Sequence, residues 1–194
     1  MATMERRRVL QLMAAAPMAA AFTWSNEEVV HASALVQAQA PGAFKPAFFT
    51  DHEYATVRVL VDYIIPKDDR SGSATDAGVP EFMDFMMTDQ PNRQNAMRGG
   101  LAWLDLECHR RFDKRFIVAT DAERRQVLDD ISWPQRVKPG MGPGVQFFNS
   151  FRDLTASGFW SSEMGIGDIQ YMGNTFVSEW NGCPPEVIKK LGLE

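Results

Sequence analysis

The chain has 194 residues, enough for one domain of ordinary size with a processed leader, and its 45% hydrophobic, 23% charged and 11% aromatic content excludes disorder, collagen and coiled coil. Twenty basic against 25 acidic residues leave a net charge of −5, a poor basis for nucleic-acid binding, which draws on phosphate neutralisation. Three His and two Cys exclude a Cys/His zinc module and a four-Cys iron–sulfur cluster, and there is no C-x-x-C-H for covalent haem.

Residues 1–40 read as a leader. Residues 2–40 hold eleven Ala and no Asp or Lys, with the basic charge gathered at Arg6, Arg7 and Arg8. The apolar run from Val9 to Phe22 would make a helix of about 21 Å, short of the ~30 Å hydrocarbon core, so it reads as an export signal ending at small residues near Ala32-Ser33-Ala34. Arg6 and Arg7 followed by Arg8-Val9-Leu10 resemble a twin-arginine signal, whose route carries proteins already folded, typically around a cofactor. An attached amphipathic N-terminal helix is the other reading. The remainder of the chain shows no cofactor motif, which suggests that the cargo's cofactor sits on another chain.

Residues 44–194 read as a single all-α domain of about five to six helices with a long irregular tail rich in Gly and aromatics. Thr50-Asp51-His52-Glu53 is a capping box, and Tyr54, Val57, Leu60, Val61, Ile64 and Ile65 form one helical stripe stopped by Pro66. His52 inside that box reads as an exposed first-turn residue. Lys67 to Gly78 is an exposed loop, and Val79-Pro80 opens a helix through Met87 in which the three Met read as core fillers. The longest helix is expected over Pro91–Phe116, with Met97, Leu101, Leu104, Cys108 and Phe112 as its buried stripe and Gly99-Gly100 marking a kink or a close helix contact. Thr120 and Glu123 form a second capping box, and that helix ends at Trp133-Pro134. Residues 139–144 read as a Pro/Gly-rich hinge. Phe147, Phe148, Phe151 and Leu154 then make a further helical stripe closed by Gly158, and Pro185–Leu191 a final turn.

Chemistry is scarce in this pattern. His52 and His109 lack the nucleophile and orienter of a triad, and no G-x-S-x-G elbow or phosphate loop occurs. Gly140-x-Gly142-x-Gly144 lacks the spacing of a dinucleotide loop. Asp129 and Asp130 are adjacent on a helix, so they do not converge, and Asp68-Asp69 lacks calcium-loop spacing. Cys108 and Cys183 allow two readings. In an exported protein they could bridge, closing a loop worth on the order of 4 kcal/mol, or Cys108 is a small buried hydrophobe. Phe159, Trp160, Tyr171, Phe176 and Trp180 lie in a Gly-rich stretch that orders only against something apolar: the chain's own helices, or a partner surface.

A family resemblance rests on Ile64-Ile65-Pro66, Ala77-Gly78-Val79-Pro80-Glu81-Phe82, Phe148-Asn149-Ser150-Phe151-Arg152-Asp153-Leu154, Gly158-Phe159-Trp160-Ser161-Ser162-Glu163-Met164-Gly165, Tyr171-Met172-Gly173-Asn174 and Trp180-Asn181-Gly182-Cys183-Pro184. In this order, behind a twin-arginine leader, they resemble the gluconate 2-dehydrogenase subunit 3 family, small subunits of sugar and polyol dehydrogenases, over about residues 44–192. The resemblance implies a chain without catalytic, cofactor or metal residues of its own. Its partner would be a large FAD subunit of the glucose-methanol-choline type, which it helps mature and carries to the periplasm. A c-type cytochrome would accept the electrons, and membrane association would come only through the complex. A free-standing exported enzyme and a helical periplasmic ligand-binding module are the readings from other classes.

Overall fold

The computed structural model describes residues 44–171, 173, 176, 178–179, 182–183 and 185–193. Among these residues there are seven α-helices and no strand: α1 Asp51–Ile64, α2 Val79–Asp89, α3 Pro91–Phe112, α4 Asp121–Ile131, α5 Gly142–Trp160, α6 Glu163–Asp168 and α7 Pro185–Lys190. A 3-10 turn, Pro134–Arg136, lies between α4 and α5.

Two of these helices start where local chemistry dictates. In α1 the Thr50 side chain accepts from the Glu53 amide while Glu53 accepts from Thr50 N–H at 2.9 Å, and Thr120 and Glu123 repeat the arrangement at α4. Each box satisfies amides that a helix start leaves without partners. Gly78 precedes α2 with φ 77, a conformation that any Cβ would penalise.

α5 is the central element and packs on α1, α2, α3, α4 and α6. Its contact with α3 is reciprocal. A Cβ at Gly100 of α3 would stand 1.8 Å from the Phe147 ring of α5, and one at Gly144 of α5 would stand 2.3 Å from the Trp103 ring of α3. Each helix therefore seats an aromatic ring in the glycine notch of the other. Around this seam lie the fully buried Phe82, Met83, Met86, Met87, Leu104, Phe151 and Leu154.

Several boundaries differ from the sequence reading for physical reasons. α3 ends at Phe112 rather than Phe116, because Asp113 takes φ 55 and turns Phe116 into the core. Gly142-Pro143-Gly144 is the first turn of α5 rather than a hinge, since Pro fits that turn and Gly144 is needed beneath Trp103. Gly158 does not close the helix. It lies within α5 against the Phe82 ring, and the helix runs on to Trp160. Residues 163–168, assigned to the irregular tail, form α6 on a Ser162 cap that accepts from the Gly165 amide at 3.1 Å.

Gly100→Ala tests the seam. Alanine improves helix propensity by about 1 kcal/mol, but the added methyl overlaps the Phe147 ring, and overpacking costs typically 1–3 kcal/mol. Urea unfolding of G100A should give a lower midpoint than wild type.

Candidate partner-docking surface

Two buried carboxylates position the rest of the molecule. Asp84 of α2, fully inside, accepts the amides of Ala47 at 2.7 Å, Phe48 at 3.0 Å and Phe49 at 2.9 Å, so the segment entering α1 is pinned to α2 by one side chain. Arg98 reinforces this strap by donating to Phe48 O at 2.7 Å and lying over the Phe48 ring. Glu107 of α3, also buried, accepts from Arg110 at 2.6 Å and from Arg111 at 2.5 Å, and Arg111 extends to Asp130 of α4 at 2.9 Å. Burial works against ionisation of Glu107, but the bonds from the two arginines outweigh it and hold the carboxyl below its usual range.

His52 is not the exposed residue that its place in the capping box suggests. It is half-buried, and its Nε2 stands 2.5 Å from Asp105 Oδ2 of α3, while Asp105 Oδ1 accepts the Phe116 amide at 3.0 Å. A His oriented by a carboxylate is two-thirds of a hydrolytic triad. Among the described residues, however, no hydroxyl or thiol bonds the other ring nitrogen, and the pair joins α1, α3 and the segment after α3. His109 is exposed and pairs with Asp113 at 3.4 Å. Among the described residues no group of three His, Cys, Asp or Glu could hold a metal ion.

Both cysteines are free thiols in the structure, Cys108 buried and Cys183 exposed. Cys108 sits fully inside the α3 stripe, and burial, with Asp105 adding, pushes its thiol up to about 11, the behaviour of an inert small hydrophobe. Arg6, Arg7 and Trp180 lie outside the described residues.

The aromatic set proposed for a partner divides. Phe159 is fully buried, so it belongs to the chain's own core and not to a partner surface. Its neighbour Trp160 faces outward at 41% exposure, Tyr171 stands at 58% and Phe176 at 94%. Trp160 meets Phe159 edge to face, with ring centroids 4.9 Å apart, so the exposed indole is braced by a buried ring. Ile166 and Ile169 are exposed beside them in sequence, three residues apart across the end of α6. The sequence reading passed over both, although that spacing on a short helix is a legible signal. α6 itself is fixed closely: a Cβ at Gly165 would lie 2.0 Å from Phe159 O, and Arg70 bonds Asp168 at 3.1 Å through its carboxylate and also through its carbonyl. An open groove of about 590 Å³, lined by Arg70, Asp76, Met164, Glu163 and Asp168 among others, runs along α6.

Such an arrangement offers hydrophobic anchors on a braced helix end with a groove carrying charged residues beside them, and among the described residues no acid–base or nucleophilic centre is assembled. That is the composition of an interface: aromatic residues at the centre and polar groups at the rim.

The family model of gluconate 2-dehydrogenase subunit 3 matches residues 51–181, from the first residue of α1 past the exposed aromatics. No curated protein and no solved structure matches the chain.

Glu107 yields a pH prediction. A carboxyl whose folded pKa is depressed adds stability above its unfolded value, about 4.3, and that stability is lost as pH falls through the folded pKa. Glu107→Gln should therefore lower stability at pH 7 by about 2 kcal/mol and flatten the loss between pH 5 and 3, as read by denaturant unfolding across that range.

Proposed function

The chain belongs to the gluconate 2-dehydrogenase subunit 3 family, which makes it one subunit of a multi-subunit complex, and from that premise we propose that it is a non-catalytic partner of a larger FAD-containing sugar or polyol dehydrogenase subunit. In this reading the large subunit holds the flavin and performs the oxidation, and a c-type cytochrome takes the electrons onward. The small chain supports maturation of the flavin subunit and brings it to the periplasm on its own twin-arginine leader, Arg6 and Arg7 being the recognised pair.

The observation that carries the proposal is the set of exposed apolar side chains Trp160, Ile166, Ile169 and Tyr171, which follow one another from the end of α5 through α6. Exposed apolar groups clustered on a rigid element mark interaction sites rather than random surface. The leader supports the same reading. A route reserved for folded cargo has a purpose if the cargo contains a cofactor-loaded partner.

Two experiments test the proposal. Replacing Arg6 and Arg7 with Lys should leave both the small chain and the flavin subunit in the cytoplasm, as read by fractionation and flavin fluorescence; a flavin subunit that still reaches the periplasm overturns joint export. Trp160→Ala should weaken association by about 2–4 kcal/mol, read as loss of flavin subunit on co-purification, while the far-UV circular dichroism of the variant stays that of wild type.

A further inference from the structure

The opposite end of α5 carries a surface of different chemistry. The sequence holds no Asp or Glu between Asp130 and Asp153, in a chain whose net charge is −5. Within that stretch every residue from 133 to 140 is exposed: the 3-10 turn Pro134–Arg136 lies against α5 with its side chains outward, Gly140 takes φ 81, and Met141 re-enters the core. Trp133 stands at 60% exposure and Val137 at 47%, separated by Arg136 and followed by Lys138.

The charges beneath this loop are sorted by depth. Glu107 and Asp130 are mostly covered, whereas Arg110 and Lys138, which bond to them, are mostly exposed. Arg136 adds a further exposed cation. Arg110, Arg136 and Lys138 thus face outward over Glu107 and Asp130, whose charge the mostly covered Arg111 also offsets, while the exposed Asp113 at the end of α3 pairs with His109. Asp129 is exposed, but it lies about 100° round α4 from Asp130.

We infer that the loop 133–140 docks this protein peripherally on an anionic bilayer surface, with Trp133 and Val137 entering the interfacial layer and Arg136, Lys138 and Arg110 meeting lipid phosphates. An indole is at home at headgroup depth, and cations near an anionic leaflet are drawn to it. A protein partner fits less well, because interface cores are depleted in Lys and this loop alternates cations with its two apolar residues. No described helix is long and apolar enough to cross a membrane, so the contact is with the surface. The 19 residues of α5 span about 28 Å and separate this loop from Trp160, so a membrane and a partner subunit could be held at the same time. The inference does not depend on the identity of that partner.

The test uses the full chain and vesicles of phosphatidylglycerol with phosphatidylcholine, against vesicles of phosphatidylcholine alone, in a flotation assay at low salt. The leader is present in every variant, so differences between variants report on the loop. R136Q and W133S should each reduce partition onto the anionic vesicles about fivefold, with unchanged circular dichroism, and change little on the neutral ones. If both variants partition as wild type does, the inference is overturned. It is equally overturned if vesicle binding is unchanged while the flavin subunit no longer co-purifies, since the loop would then be a protein-docking face.

Discussion

Everything in this fold depends on how closely α3 and α5 approach. Phe147 lies in the notch at Gly100, and Trp103 in the notch at Gly144, so two bulky rings act as pegs in opposite directions across one seam. Helices that approach this closely exclude water from the atoms between them, and the remaining long helices pack round the resulting axis. The seam fixes the direction of α5, and the direction of α5 fixes where its two ends point. One end presents Trp160 and the surface beside α6; the other presents Trp133 and the basic loop.

The buried carboxylates tie neighbouring segments to the helices that carry them. Asp84 gathers three backbone amides that would otherwise be stranded against the core, and Glu107 gathers two guanidinium groups at the far end of α3. His52 and Asp105 add a third polar tie between α1 and α3. Each group is costly to bury alone and tolerable once fully bonded, so each couples the placement of one element to that of another. A small helical subunit without metal or disulfide support among its described residues is held in register by such ties.

Much of this was legible in the chain itself, and what was missed follows a pattern. The capping boxes at Thr50 and Thr120 and the apolar stripes of α1, α3 and α5 are local, and local signals survive translation into structure. Where the meaning of a residue depends on a distant neighbour, sequence reading fails. Gly144 looks like a hinge until Trp103 is beside it, and Gly158 looks like a stop until Phe82 is. Asp105, more than fifty positions away, turns His52 from a surface residue into a half-buried one. Phe159 and Trp160 are adjacent aromatics that composition cannot separate, yet one lies in the core and the other outside it, because consecutive positions on a helix face about 100° apart.

The central helix is also the last long helix to be synthesised. Until residues 142–160 leave the ribosome, Phe82, the methionines of α2 and Trp103 lack the surface that covers them. At 5–20 residues per second, translating from the start of α3 to the end of α5 takes about 4–14 s. For that interval the nascent chain displays most of its eventual core as open apolar surface, a target for holdase chaperones and a hazard in their absence. Helix order along the chain thus makes the body fold late, only once its final long helix has closed over the others.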